Sequence, residues 1–349
     1  MDPTSLNTES KSSPRAESRT ARGPEPNAGR RVLITGGAGF LGVNAAADLI
    51  STGWHVTVLD NLSRPGTERN LKWLITQHPT RTTFVKEDVR NASALADHVK
   101  NQDAILHLAG QVAVTTSLID PGTDFDVNAR GTLNLLEAAR LHNPRAPFVF
   151  ASTNKVYGKL DKNNVACKES QPIDFHSPYG CSKGAADQYV RDYARCFGMN
   201  TAVLRQSCIY GAHQYGTEDQ GWVAHFVHSI LHDRPLTIYG DGTQVRDLLD
   251  ARDLSALYAI VIDQIDKTRG EIYNVGGGPE NQRNLLEVIE QIGELTKRKP
   301  QFTFADWREG DQTYYVSDIT KSKRDLGWEP RVAFDQGLRD LIAWARSVN

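Results

Sequence analysis

The chain has 349 residues, of which 39% are hydrophobic and 23% charged, and a net charge of −2. That composition describes an ordinary globular protein with room for one large or two smaller domains, and it gives no reason to expect nucleic acid or an anionic membrane as partner. No apolar run is long enough to span a bilayer. The four cysteines (Cys167, Cys181, Cys196, Cys208) show no CxxC spacing, and no histidines pair at metal-ligand spacing. Reduced thiols, a cytoplasmic location and no metal are the expectation.

Residues 1–30 are rich in Ser, Thr, Pro, Glu and Arg, with Leu6 as the one strongly apolar side chain. They lack the apolar segment of a secretory signal, and Asp2, Glu9, Glu17 and Glu25 argue against a transit peptide. A disordered tail is expected there. From Arg31 on, short β-rich runs alternate with helical stretches. Val32-Leu33-Ile34-Thr35 is a buried-strand run, followed by glycines and a helix through Ile50. Further strands are expected at 55–59, 82–85, 104–108, 147–150 and 201–204, with helices at 126–142 and about 178–197. Strand and helix alternating at this spacing require right-handed crossovers and a parallel sheet, so the fold class is α/β, a Rossmann-type doubly wound sheet. After Ile209 the pattern loosens. Residues 31–209, joined by 247–275, are read as the dinucleotide-binding domain, and 210–246 with 276–349 as a smaller mixed α/β lobe that binds substrate at the carboxyl edge of the sheet.

Gly36-Gly37-Ala38-Gly39-Phe40-Leu41-Gly42 follows the first strand and opens a helix. Glycine is required there for a tight turn and for close approach of the backbone to a pyrophosphate at the helix N-terminus. Asp60 ends the second strand, placed to accept bonds from the adenosine ribose, and its charge would repel a 2′-phosphate. The reading is NAD rather than NADP, with Arg64 close by as the residue that argues the other way. Asp88-Val89 after the third strand is placed either to meet adenine or simply to cap a helix.

Tyr179 and Lys183 are four residues apart on the helix expected after the fifth strand, hence on one face. A nearby ammonium and the positive nicotinamide ring would pull the phenol from about 10 towards neutrality, making Tyr179 a general base. Thr153, at the end of strand five, is positioned to hold the reacting oxygen, or else to bond its own backbone.

These elements resemble the extended short-chain dehydrogenase/reductase family from Arg31 to the C-terminus. The resemblance implies that Thr153, Tyr179 and Lys183 form the catalytic triad and that Gly36, Gly39, Gly42, Asp60 and Asp88 contact NAD. It also implies cofactor contacts from Phe40, Leu41, Asn61, Val89 and Leu108, and from Ala109, Gln111, Ser152 and Gln206. Gly240-Asp241-Gly242-Thr243-Gln244-Val245-Arg246-Asp247 and Trp307-Arg308-Glu309-Gly310-Asp311 look like the family's nucleotide-sugar diphosphate clamps, with Arg246 and Arg308 as the forks and Gln220 as a further substrate contact. Surface ion pairs are the commoner fate of such arginines.

The dehydratases of that family need an acid and a base beside the triad Thr, where this chain has Thr153-Asn154-Lys155. That points to oxidation with return of hydride on the other face, an epimerisation, unless a carboxylate such as Asp219 acts from the lobe. Longer runs, 107–113, 152–158, 174–189 and 219–223, are similar to the branch of the family that inverts C2 of CDP-linked hexoses, which makes Asn154 and Lys155 ring-positioning candidates. The segment between Tyr157 and Phe175 departs from that pattern. A UDP-hexose 4-epimerase, a net-oxidising dehydrogenase and a non-catalytic NAD-binding regulator are the alternatives. The helices at 126–142 and 178–197 commonly form a dimer seam in the family, so a homodimer or homotetramer is expected.

Overall fold

The computed structural model describes residues 26–160 and 166–348. Most of the expected tail, Met1 to Glu25, lies outside the described residues. Its last residues are tied down: the Asn27 N–H donates to Thr52 O at 3.1 Å, and Arg30 lies over Trp54, 3.9 Å from the ring centroid, and bonds Asp263.

Strands β1 (Arg31–Thr35), β2 (His55–Asp60), β3 (Thr82–Lys86), β4 (Ala104–His107), β5 (Phe148–Thr153) and β6 (Thr201–Gln206) alternate with helices. Among those helices are α1 (Phe40–Ser51), α2 (Thr67–Gln77), α3 (Ala92–Val99), α4 (Val114–Ile119), α5 (Pro121–Phe125), α6 (Gly131–His142) and α7 (Pro178–Phe197). Beyond them come β7 (Cys208–Tyr210), α8 (Trp222–Leu231), β8 (Leu236–Tyr239), β9 (Val245–Asp250), α9 (Ala251–Asp263) and β10 (Glu271–Val275). The central sheet has seven parallel strands in the order β10-β6-β5-β4-β1-β2-β3. The order in which strands are added therefore reverses between β1 and β4, the switch point at which such sheets bind dinucleotides. The strands read as continuous apolar runs because both faces are covered, by α1 and α9 on one side and by α3, α6 and α7 on the other.

The segment after Ile209 divides between the two layers. Strand β10 joins the central sheet beside β6, and α9 packs on α1, whereas β9 pairs with β7 and with Gln282–Asn284 and Tyr314–Tyr315 in a second sheet. That sheet, α8 and the helices Leu285–Thr296 and Phe334–Ser347 form the lobe, with its own core of Tyr210, Phe226, Leu248, Ile289, Phe334 and Leu338.

Two local differences from the sequence expectation bear on the site. Strand β5 runs three residues beyond Phe150, which puts Thr153 at its carboxyl end. The helix expected over 126–142 opens instead with a single π-type turn, Asp126–Arg130, ahead of α6. The widened turn gives Asn128 its cross-links: its amide bonds Gln111 O at 3.0 Å and Ser182 Oγ at 3.0 Å, and its Oδ1 accepts from the Gln111 N–H. Among the described residues no helix is long and apolar enough to cross a membrane.

Candidate active site

The glycine loop joins β1 to α1 as expected, with Gly39 as the residue before the first turn. Gly36 has φ +68°, and a Cβ there would lie 2.7 Å from Ala109 N on the loop after β4. Gly42 has no room for a Cβ either, because the loop's own backbone at Gly36 and Gly37 fills the space. Only glycine permits these approaches. The Asp60 carboxylate accepts the N–H groups of Ala38 (3.1 Å) and Leu62 (2.8 Å), which fixes it at the tip of β2 beside the loop. Burial raises its pKa, and these backbone bonds work against the rise. The result is a rigid, backbone-lined cradle with an anchored carboxylate, and it fits a dinucleotide.

The other expected cofactor residues lie along the same edge but with varied engagement. Asp88 bonds Asn61 at 2.8 Å and is paired with Arg90, which holds its carboxyl well below the usual range. Phe40 and Leu41 begin α1, Val89 is buried beneath α6, and Leu108 and Ala109 follow β4. Gln111 is locked by Asn128, Ala113 and Asp124. Ser152 and Gln206 give their side chains to buried neighbours, Asp187 and Tyr258 respectively, both at hydrogen-bond distance.

Helix α7 is started by Ser177, whose Oγ accepts the Gly180 N–H, with Pro178 in the first turn. This places Tyr179 and Lys183 on the buried face, 8% and 5% exposed. The Tyr179 N–H donates to Ser117 Oγ. Thr153 Oγ1 accepts the Lys155 N–H at 3.2 Å and lies near enough to the Tyr179 phenol to favour its ionised form. The lysine behaves differently from the sequence expectation. Lys183 Nζ donates to Ala151 O at 2.6 Å and lies 4.2 Å from the Phe150 ring centroid. Burial lowers it to about 7, against the opposing charges of Asp187 and Asp124. The Tyr179 phenol is raised by burial to about 12; the Thr153 hydroxyl and the Arg64 charge lower it, and Asp124 raises it. The protein's own groups thus keep the phenol protonated, because removing it from water outweighs the cations within reach.

Sequence reasoning passed over the support beneath this helix. Asp124, 1% exposed, accepts from Ser182 Oγ, from Gln111 at 3.0 Å and from Asn128 at 3.2 Å. A lone Asp in a short helix carries no sequence signal that would have found it.

Beside the triad lies a cavity of about 280 Å³ between the sheet edge and the lobe. Its lining includes Thr153, Asn154, Lys155, Tyr179, Gln220, Arg246 and Arg308, so the cavity gathers the triad hydroxyls and the substrate candidates from both layers. Asn154 is tied by its amide to Gln312 Oε1 at 3.2 Å. Arg246 bonds Asp311 Oδ1 at 3.0 Å and Gln312 O. Arg308 stacks on Tyr239, 3.6 Å from the ring centroid, and pairs with Glu218 at 3.2 Å. Asp219 accepts from Thr115 Oγ1 at 3.0 Å. Glu218 and Tyr239 were not singled out in the sequence, since neither belongs to a spaced motif.

Residues 33–341 match the GDP-mannose 4,6 dehydratase family. The CDP-paratose 2-epimerase of Salmonella typhi is 42% identical over 339 residues, covering 91% of this chain and all of that protein. The dTDP-glucose 4,6-dehydratase of Neisseria meningitidis is 34% identical over 340 residues, with 90% and 93% coverage. The crystal structure of Thermus thermophilus UDP-glucose 4-epimerase in complex with NAD superposes with a TM-score of 0.83 at 32% identity, covering 91% of this chain and 100% of that one. The chain therefore belongs to the GDP-mannose 4,6 dehydratase family, within the NAD-dependent epimerases and dehydratases of the extended short-chain dehydrogenase/reductase class.

Proposed function

We propose that the protein is an NAD-dependent nucleotide-sugar epimerase that inverts C2 of a CDP-linked hexose, CDP-paratose or its epimer CDP-tyvelose. The observation that carries this reading is the triad beside a cavity in which the dehydratase acid–base pair is replaced by Asn154 and Lys155. The relationship to the Salmonella typhi enzyme over its whole length supports the sugar.

The glycine loop and Asp60 would hold NAD, which would supply a hydride acceptor for the carbinol carbon and a donor for the ketone. Tyr179 takes the hydroxyl proton of that carbon as the hydride leaves, and gives it back when the ketone is reduced on its other face. Thr153 bonds the same oxygen, fixing it against the phenol through alcohol and ketone alike. Because burial holds Tyr179 at about 12, the phenol accepts a proton readily once ionised, and positive charge near it sets how often it is ionised. Lys183, whose ammonium burial brings down to about 7, exchanges its own proton readily at neutral pH. Net redox change is zero, so no NADH accumulates.

Incubating the purified protein with CDP-paratose and following the C2 proton by NMR tests the reading. Interconversion without growth of NADH absorbance is the expected result. Turnover of UDP-glucose to UDP-galactose in its place would move the assignment to a 4-epimerase, the activity named for the Thermus thermophilus relative.

Leu118, Ile119, Phe125, Leu141, Tyr189 and Phe197 are exposed on α4 to α7, with Ile119 at 85%. An apolar patch on packed helices is what a self-complementary seam needs, so a homodimer or homotetramer is the assembly we propose. Light scattering of an Ile119→Arg variant should give the monomer mass. The free thiols support the cytoplasm as its compartment.

A further inference from the structure

Lys155 follows the triad threonine by two residues, and its backbone N–H donates to Thr153 Oγ1 at 3.2 Å. Its ammonium lines the cavity, with a side chain 18% exposed. Its two partners, Asp311 Oδ1 and Gly310 O, both lie at 3.4 Å, longer than a good charged hydrogen bond. Three donors are available and none has a short acceptor among the described residues. Asn154, beside it, is committed to Gln312. Asp311 Oδ1 is also the partner of Arg246 at 3.0 Å, so two cations share one carboxylate oxygen. One positive charge is in excess around Asp311, in the cavity wall that also holds Thr153. Burial and the Arg246 charge both depress the Lys155 ammonium, and Asp311 opposes them only in part.

Resting on the C2 reading, we propose that Lys155 and Arg246 together seat the sugar-bearing phosphate of the substrate, and that this seat fixes C2 as the carbon presented to Tyr179. The argument is one of covalent distance. C2 is the neighbour of the carbon that carries the diphosphate, whereas C4 lies across the ring. An enzyme that oxidises C2 must bring a phosphate close to its triad, and the negative charge of that phosphate requires a cation in the same cavity. An enzyme that oxidises C4 holds the same phosphate a ring's width away, where an ammonium beside Thr153 would meet only sugar hydroxyls. Asp311 keeps the two cations together until the phosphate arrives.

The experiment compares binding of CDP and CMP by calorimetry in the wild type and in Lys155→Met and Lys155→Arg. Losing a charge-assisted bond of roughly 1.5–3 kcal/mol should weaken CDP binding by about tenfold or more, leave CMP within about twofold, and be largely restored by arginine. Equal losses for CDP and CMP, or no loss for CDP, would overturn the seat. The unchanged CMP affinity also serves as the control that the variant is folded. Quenching turnover of the wild type with borodeuteride labels the oxidised carbon. Deuterium at C2 supports the register, and deuterium at C4 removes it. If CDP-paratose is not turned over but Lys155→Met still loses CDP selectively, the phosphate seat stands and the sugar named above is what fails.

Discussion

The two walls of the cavity are built on opposite principles. On the sheet side, Thr153, Tyr179 and Lys183 are nearly buried, fixed by a strand end and by hydrogen bonds that involve the backbone, and among the described residues they meet no oppositely charged side chain at hydrogen-bond distance. On the lobe side each cation arrives with a carboxylate from the lobe itself, Arg246 with Asp311 and Arg308 with Glu218. Unpaired, desolvated groups have displaced proton affinities and suit chemistry. Charges paired with a carboxylate can exchange one anion for another, which suits recognition. The sheet wall should therefore govern kcat and the lobe wall KM.

The largest effect should come from the sheet wall. Tyr179→Phe removes the only hydroxyl of the triad placed to carry the proton, and kcat should fall by about 10²–10⁴-fold, the usual worth of a positioned acid–base group. Substrate affinity should change little. A comparable rise in KM would break the division of labour between the walls.

Lys183 sharpens the same point through stability. Its folded value of about 7 lies below the roughly 10.4 of an unfolded lysine. Below pH 7 both states bind the proton and the penalty of burying it is complete. As pH rises from 7 towards 10.4 the native state has released the proton while the unfolded state still holds it, so stability increases across that window. Lys183→Met removes this slope, and the stability difference between the two proteins should vary by on the order of a few kcal/mol over that range in denaturant titrations at fixed ionic strength. Parallel pH profiles would place Lys183 in ordinary surroundings.

Most of the sheet wall was legible in the sequence, and the reasons are local. Glycines at 36, 39 and 42 are required by close approach of backbone, Asp60 and Thr153 end strands that betray themselves by apolar runs, and Tyr179 and Lys183 share a helical face. What the sequence could not convey was the solvent. The same motif reads as an acidified phenol on paper, yet burial raises it to about 12, because desolvation is a property of the whole fold. The π-type turn at Asp126–Arg130 was hidden for a related cause: it serves Asn128's contacts with Gln111 and Ser182, distant in the chain. The lobe wall was legible as Gln220 and two arginine-bearing stretches, without the pairs they form. Their partners Glu218 and Asp311 come from loops far from Arg308 and Arg246 in sequence, and no periodicity connects them.

Arg246 gives the next effect in size. Arg246→Met removes a fork that bonds Asp311 and the Gln312 carbonyl from within the cavity wall. KM for the nucleotide sugar should rise by about tenfold or more, as expected for one charged hydrogen bond, with kcat within severalfold of wild type. A pure kcat loss would put this arginine with the sheet wall.

The smallest predicted effect separates the walls most cleanly because its sign is reversed. Glu218 holds Arg308 by its carboxylate at 3.2 Å and by its backbone carbonyl at 3.1 Å, and it also accepts from the Tyr239 hydroxyl at 2.6 Å. If the lobe recognises anions by exchange, the Glu218 carboxylate competes with the substrate diphosphate for that guanidinium. Replacing it with Gln removes the competing charge but keeps the shape and the backbone contact. KM should then fall, by a few-fold at most, since an exposed ion pair contributes about 0–1 kcal/mol. The gain should shrink as salt is raised, because screening weakens the competitor in the wild type. A rise in KM for Glu218→Gln would mean that the carboxylate orients Arg308 rather than competing for it, and the lobe wall would then be preorganised in the same manner as the sheet wall.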